Sequence, residues 1–292
     1  MTITELYNYI KKSLATQFCD INERGIVSRR IVGHLSGKGK DGVMLYPDFD
    51  VDTNYDAVDN IIRRVEAGEP LEYIFNSAQF LDLELRVNSN VLIPRPETEE
   101  LAILILNYLK QWGRGGAPLL LDIGTGSGCI PIYLSSNYQC CSYYACDISE
   151  EALSTARENA DRYNCKINFL QADILNAQLY SELDMLRCDV IVSNPPYVLD
   201  SEKQYMQRNV LGYEPHLALF VPDTDPLKFY REICRYAVSH LNKNGHLYFE
   251  INEHLGKETA TLLENCGFES VEIIKDLFGK DRFVVGVWNR AF

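Results

Sequence analysis

Apolar residues between positions 3 and about 70 recur at helical spacing. Leu6, Tyr9, Ile10 and Leu14 fall on one face, then Ile26, Ile31, Val32 and Leu35, then Val58, Ile61, Ile62 and Val65. Thr2 and Glu5, three residues apart, spell a capping box at the start of the first helix. A glycine-rich run from Gly37 to Gly42 stops the second helix, and Gly68 and Pro70 stop the third. The pattern predicts a small helical domain over residues 1–73. Residues 80–87 then switch period: Leu81, Leu83, Leu85 and Val87 alternate with Asp82, Glu84 and Arg86. That is a half-exposed strand, one arm of a β-hairpin in a linker spanning 74–96. Two prolines around Arg95 force an extended segment, after which Glu97 or Thr98 starts the helix carrying Leu101, Ile105 and Leu109.

From Pro118 onward strand and helix patterns alternate, which predicts an α/β domain over 97–292 with a mostly parallel sheet. Predicted strands cover 119–123, 142–147, 167–171, 189–193 and 246–251, and predicted helices 130–137, 226–241 and 258–266. Ser149 caps a further long helix with Glu150 and Glu151 in its first turn, where the helix dipole favours acids. Residues 271–275 and 282–288 form a terminal pair, with a turn at Gly279-Lys-Asp281 that makes the last strand antiparallel. The sequence shows no internal repeat.

Composition narrows the class. The chain has 292 residues, 46% hydrophobic and 24% charged, as expected of a globular protein large enough for two domains. Its net charge of −13 disfavours sequence-blind binding to nucleic acid, where Lys and Arg neutralise phosphates, and suits a cationic ligand. No run of 18 apolar residues predicts a membrane span, and the N-terminus lacks a basic segment followed by an apolar one. Nine cysteines, an odd number with no Cys-x-x-Cys, read as free thiols in a reducing cytoplasm, with no metal expected.

The candidate chemistry sits at strand ends. The apolar run Val190-Ile191-Val192 ends in Ser193-Asn194-Pro195-Pro196-Tyr197. Prolines offer carbonyls without an N–H, Asn194 adds a side-chain acceptor, and Tyr197 adds a flat ring. Together they form a holder for a planar –NH2 group, such as a glutamine side chain or the exocyclic amine of a base. Asp122-Ile-Gly124-Thr125-Gly126-Ser127-Gly128 joins the first strand to a helix, and glycines there let backbone N–H groups approach a ligand. Cys129 stands where the dinucleotide fingerprint wants a third Gly or Ala, and the Gly-x-Gly-x-Gly spelling instead resembles the S-adenosylmethionine loop of class I methyltransferases. Asp147 reads either as an acceptor for ribose hydroxyls or as a strand-end cap. Asp173 reads either as a partner of the adenine amine or as a helix cap. Arg95 and Glu97 are polar groups of an active-site wall or parts of a plain linker. Ligands of open α/β sheets bind where the strand order reverses. The glycine loop and Asn194 are therefore expected on neighbouring strands.

These motifs resemble the HemK-type release-factor glutamine methyltransferases. The likeness runs from Glu69-Pro-Leu-Glu-Tyr73 through Val91-Leu-Ile-Pro-Arg-Pro-Glu-Thr-Glu99, Leu121 to Gly128, Asp147-Ile-Ser149, Ala156-Arg-Glu-Asn159, Ile191 to Tyr197 and Tyr213-Glu-Pro215 to Gly279-Lys-Asp-Arg282. It implies a Rossmann-like class I fold with a seven-stranded sheet behind a helical domain, whose role is read either as docking release factors or as plain packing. It also implies methylation of the glutamine in the Gly-Gly-Gln motif of class I release factors by a cytoplasmic monomer, with S-adenosylhomocysteine as by-product. The implied cofactor contacts are Gly124, Thr125, Gly126, Ser127, Gly128, Asp147, Ile148, Asp173, Ile174 and Asn194. The implied catalytic and substrate contacts are Asn194, Pro195, Pro196 and Tyr197, with Arg95 and Glu97 on the substrate side. Two departures stand out: Ile174 replaces a tryptophan the family often has beside the adenine, and Asn252 replaces a glycine that often follows Glu250-Ile251. The rival readings are a ribosomal-protein glutamine methyltransferase, a DNA adenine-N6 methyltransferase and a cofactor-binding scaffold without catalysis.

Overall fold

A computed structural model describes residues 1–113 and 115–290, so the last two positions of the expected 97–292 domain lie outside it. The chain divides into two compact units, Met1–Asn76 with Gln207–Tyr213, and Ser77–Met206 with Glu214–Phe292. Residues 207–213, expected in the larger domain, group with the helical unit, where the Tyr213 hydroxyl donates to the Ala67 carbonyl at 3.1 Å.

The helical unit contains α1 (Ile3–Ser13), α2 (Ile21–Ser36), α3 (Gly42–Leu45), α4 (Tyr55–Glu66) and α5 (Leu71–Phe75). The capping box forms as read: Thr2 Oγ1 accepts from the Glu5 N–H, and Glu5 Oε2 accepts from the Thr2 N–H. Ile3, Leu6, Ile10, Leu14, Ile31, Val32, Val58, Ile62 and Val65 make its core. Ile26, read as a core position, is 53% exposed. The buried stripe of α2 keeps Ile31 and Val32 and is completed by Gly25, Ser28 and Gly33. Small residues let helices approach closely, and a reading that counts only apolar side chains passes over them.

The second unit opens with a hairpin of β1 (Ala78–Phe80) and β2 (Leu83–Leu85). The strand read across 80–87 is therefore broken by a turn at Leu81-Asp82, where Leu81 has φ of +52°. That dipeptide carries none of the usual two-residue turn spellings. A tertiary bond supports the turn, since the Leu81 N–H donates to Glu99 Oε1. Helix α6 (Pro96–Lys110) follows. It starts at Pro96 rather than at Glu97 or Thr98, because a proline at the first helical position has the right φ and no N–H to satisfy. Thr98 therefore lies inside the first turn, with its hydroxyl free for other work.

Next come β3 (Leu119–Ile123), α7 (Cys129–Asn137), β4 (Ser142–Asp147), α8 (Glu150–Arg162), β5 (Ile167–Gln171), α9 (Ser181–Asp184), β6 (Cys188–Ser193) and β7 (Val198–Leu199). The chain ends with α10 (Arg208–Tyr213), β8 (Phe220–Val221), α11 (Lys228–His240), β9 (Leu241–Glu250), α12 (Gly256–Cys266), β10 (Glu269–Lys275) and β11 (Asp281–Trp288). Seven strands pair in the order β10-β11-β9-β6-β3-β4-β5. Only β11 runs antiparallel to its neighbours, as the Gly279 turn predicts. The middles of β3 and β6, Leu119-Leu-Leu121 and Val190-Ile-Val192, are apolar because both faces are covered. Leu121, Ile123 and Ile191 pack with Tyr230 and Ile233 of α11 on one face. Leu120, Val190 and Val192 pack with Leu101 and Ile105 of α6 and Ile130 of α7 on the other. From β3 the chain steps outward to β4 and β5, then returns to β6 on the opposite side, so the sheet reverses direction between β3 and β6.

Candidate active site at the switch between two strands

Strands β3 and β6 run parallel with Ile123 opposite Ser193. The Ser193 hydroxyl donates to the Ile123 carbonyl at 2.7 Å, clamping the two tips where they begin to separate. Gly124 and Asn194 therefore leave the sheet from adjacent positions. Between them opens a cavity of about 350 Å³, large enough for a small-molecule ligand. Gly124, Gly126, Asp147, Ile148, Asp173, Ile174, Asn194, Pro195 and Pro196 line it. So do residues that sequence reading did not single out, notably Ser89, Asn90, Leu217 and Phe229.

The glycine loop splits by role. Gly124 and Gly126 have φ of +75° and +54°, and a Cβ on either would meet no protein atom within 4 Å. Their bareness keeps the cavity mouth open. Gly128, at φ +80°, faces the other way: a Cβ there would lie 2.9 Å from Ile132 Cδ1 and 3.2 Å from Ala156 Cβ. It is needed for close packing of α7 against α8. Thr125 and Ser127 are buried and off the cavity wall. The Ser127 carbonyl accepts from Asn159 Nδ2.

Asp147 ties this loop to the end of β4. One carboxylate oxygen accepts from the Gly126 N–H and the other from the Ser149 N–H. Each oxygen keeps a lone pair, and the side chain borders the cavity. Burial pushes its carboxyl above the ordinary range, against the opposing pull of the Ser149, Gly126 and Ile148 N–H groups. Asp173 caps the 3₁₀ turn that follows it, accepting from the Leu175 N–H and from Asn176 Nδ2, and it borders the cavity as well. Ile148 and Ile174 add apolar wall.

Asp122 is the anomaly. It is 1% exposed, and neither carboxylate oxygen has a hydrogen-bond partner among the described residues. Burial, with the Asp147 charge adding to it, pushes its carboxyl up to about 7. Thr125 is near enough to offset part of this, although its hydroxyl makes no hydrogen bond of ordinary geometry.

The segment Asn194-Pro195-Pro196-Tyr197 is held from behind. Asn194 Nδ2 donates to Thr98 Oγ1 at 3.1 Å, and Thr98 Oγ1 donates to Glu250 Oε2 at 2.7 Å. The Tyr197 hydroxyl donates to the other Glu250 oxygen at 2.9 Å. Asn252, where the resemblance leads one to expect glycine, donates to the Tyr197 carbonyl at 3.2 Å and to Glu202. Burial pushes the Glu250 carboxyl up, opposed by the Thr98 and Tyr197 bonds and the Arg282 charge. Tyr197 departs from expectation. Its ring packs against the core layer of Tyr230 and Ile233, off the cavity wall, and burial drives its phenol well above the ordinary value.

Arg95 is also engaged elsewhere. It pairs with Glu214 at 2.6 Å, and the buried Glu214 accepts in addition from the Ile93 N–H. Glu97 is half-buried and, like Arg95, off the cavity wall. Thr98, Glu250 and Glu214, which sequence reading did not assign to the site, all stand inside quoted motifs, and Asn252 was noted there only as a departure. Only Glu250 carried a local signal, a carboxylate at the end of the apolar run Leu247-Tyr-Phe249.

A family model described as "Methyltransferase small domain" matches residues 102–212. A protein of Flavobacterium psychrophilum named release factor glutamine methyltransferase is 45% identical over 226 residues, covering 77% of this chain and 78% of that one. One of the same name from Bacteroides thetaiotaomicron is 45% identical over 227 residues, covering 78% and 79%. Among solved structures, a methyltransferase from Pyrococcus furiosus shares the fold with a TM-score of 0.50 and 19% identity, covering 80% of this chain and all of that one.

Proposed function

Because the chain belongs to the release factor glutamine methyltransferase family, we propose that it methylates the side-chain amide nitrogen of the glutamine in the Gly-Gly-Gln motif of peptide chain release factors. S-adenosylmethionine is the methyl donor in this reading. The observation that carries it is the adjacency of Asn194 to the Gly124 loop at paired strand tips, both on one cavity.

The cavity suits the donor. Bare backbone at Gly124 and Gly126 admits a ligand without side-chain conflict. Asp147 offers free lone pairs to ribose hydroxyls, Asp173 offers an acceptor to the adenine amine, and Ile148 and Ile174 offer apolar surface to a planar base. An aliphatic Ile174 covers an adenine face without aromatic stacking. Thr125, Ser127 and Gly128 act from behind by shaping the loop. When bound, the donor supplies a methyl carbon already activated by a sulfonium.

An amide nitrogen is a poor nucleophile, since its lone pair is delocalised into the carbonyl. The protein therefore has to position and polarise rather than supply a strong base. Asn194 Oδ1 and the Pro195 carbonyl accept the two amide hydrogens, orient the nitrogen lone pair and support the positive charge that grows on nitrogen. Holding the reacting atoms about 3–3.5 Å apart contributes much of the rate. Pro196 stiffens the holder, and Tyr197 anchors it through Glu250. Arg95, through Glu214, holds the wall beside it. The deprotonation comes late, because an N-methylated amide cation is strongly acidic.

The helical unit of residues 1–73 is the docking element for the release factor in this reading. The enzyme works as a cytoplasmic monomer without binding nucleic acid directly. Nine unpaired thiols and the charge of −13 support that setting, and no helix among the described residues is long and apolar enough to cross a membrane. The test is to incubate the enzyme with labelled S-adenosylmethionine and purified release factor, ribosomal protein or DNA, and to locate the label by mass spectrometry. Label on the Gly-Gly-Gln glutamine is expected. Label confined to ribosomal protein or to DNA overturns the reading in favour of that substrate.

A further inference from the structure

Asn194 can serve as an acceptor only if its oxygen, not its nitrogen, faces the bound amide. We propose that Thr98 and Glu250 are positioning residues that fix this orientation and thereby select an amide over a carboxylate. The inference rests on the amide-holder reading above and adds what sets its polarity.

The Thr98 hydroxyl has one proton, and it goes to Glu250 Oε2 at 2.7 Å. The lone pair left on Oγ1 receives the Asn194 Nδ2 hydrogen at 3.1 Å. Turning the Asn194 amide over would set its oxygen against a hydroxyl oxygen with no proton left to give. Thr98 is 3% exposed and Glu250 1%, so water is not at hand to relieve two acceptors facing each other. Nδ2 is thus committed to Thr98, and Oδ1 is the end left for the cavity that Asn194 borders. Glu250 is itself held, since the Tyr197 hydroxyl donates to its second oxygen. One buried carboxylate therefore grips both ends of the segment from Asn194 to Tyr197.

The consequence is specificity. A holder made only of acceptors binds the –NH2 of glutamine. It repels glutamate, whose carboxylate would meet Asn194 Oδ1 and the Pro195 carbonyl. Without Thr98 the Asn194 amide can turn its nitrogen to the cavity and accommodate that carboxylate.

The experiment compares wild type, Asn194→Ala, Thr98→Val and Thr98→Ser in the full chain. The readouts are kcat on purified release factor, the dissociation constant of S-adenosylmethionine by calorimetry, and affinities for the release factor carrying Gln or Glu in its motif. Thr98→Val keeps the shape and removes both hydrogen bonds. It is expected to lower kcat about ten- to a hundredfold with cofactor affinity within about twofold of wild type. It should also narrow the Gln-over-Glu affinity ratio about tenfold. Thr98→Ser retains the hydroxyl and should stay within about threefold of wild type on every readout. If Asn194→Ala is inactive while Thr98→Val keeps its kcat and its discrimination, the positioning role is wrong and the amide holder stands. Equal damage from Ser and Val, or parallel loss of cofactor affinity, assigns Thr98 to packing and overturns the proposal. If Asn194→Ala retains activity, the holder reading itself falls.

Discussion

Asp122→Asn should make the protein more stable at alkaline pH and leave it no more stable in acid. Asp122 is buried at the end of β3 without a hydrogen-bond partner for either oxygen among the described residues. Its carboxyl stands at about 7 in the folded chain, against an ordinary 3.8. A carboxyl whose folded value is raised binds its proton more tightly in the native state. Stability then falls as pH rises, from full strength below about 4 to a complete penalty above about 7. The gap between 3.8 and about 7 corresponds to about 4 kcal/mol as a ceiling. The asparagine amide is neutral at all these values but buries a donor of its own, which returns about 1–2 kcal/mol. The net expectation is a gain of about 2–3 kcal/mol at pH 8, turning into a loss of about 1 kcal/mol at pH 4, where the wild-type carboxyl is largely protonated and the amide's buried donor still counts. Urea unfolding followed by tryptophan fluorescence isolates the relevant unit, since Trp112 and Trp288 are the only tryptophans and both belong to the sheet-bearing unit. Parallel stability curves for wild type and variant from pH 4 to pH 8 would refute the buried-charge argument.

Two other substitutions separate parts of the site that look alike in sequence. Asp147→Ala removes the acceptor of the Gly126 and Ser149 N–H groups and the cavity-facing lone pairs. Affinity for S-adenosylmethionine should fall at least about tenfold by calorimetry, and an unchanged dissociation constant would remove Asp147 from the cofactor site. Gly128→Ala combines a left-handed φ of +80° with a Cβ 2.9 Å from Ile132 Cδ1 and 3.2 Å from Ala156 Cβ. It should cost about 2–3 kcal/mol in the same urea assay while the folded fraction binds cofactor normally. A variant of wild-type stability that cannot bind cofactor would show that Gly128 touches the ligand after all.

What could be read from the sequence was whatever a local pattern spells. The β3 and β6 strands were legible because burial on both faces writes the short apolar runs Leu119-Leu-Leu121 and Val190-Ile-Val192, and the rule that ligands bind where strand order reverses led to the expectation, met by the β3–β6 pairing, that the glycine loop and Asn194 are neighbours. The antiparallel last strand followed from one turn. Long-range polar pairing left no such trace. Thr98 meets Glu250 across 152 positions, and Arg95 meets Glu214 across 119. The residues left Arg95 as a site wall or a plain linker and the resemblance put it on the substrate side, since nothing local showed its pairing with the buried Glu214. The glycine string also hid a division of labour. Gly124 and Gly128 share a left-handed φ, and only the packing of Ile132 and Ala156 against the second makes one a cavity wall and the other a helix contact. At Leu81-Asp82 the alternation of side chains ran on through a turn whose support comes from Glu99, far along the chain.

The central claim is that an acceptor at the tip of β6 holds the substrate amide beside a cofactor loop that it does not itself build. Measuring kcat and the S-adenosylmethionine dissociation constant for Asn194→Ala tests it most directly. Transfer should fall by at least about a hundredfold with cofactor affinity within about twofold of wild type. Retained transfer, or a loss of affinity that matches the loss of transfer, would contradict the claim.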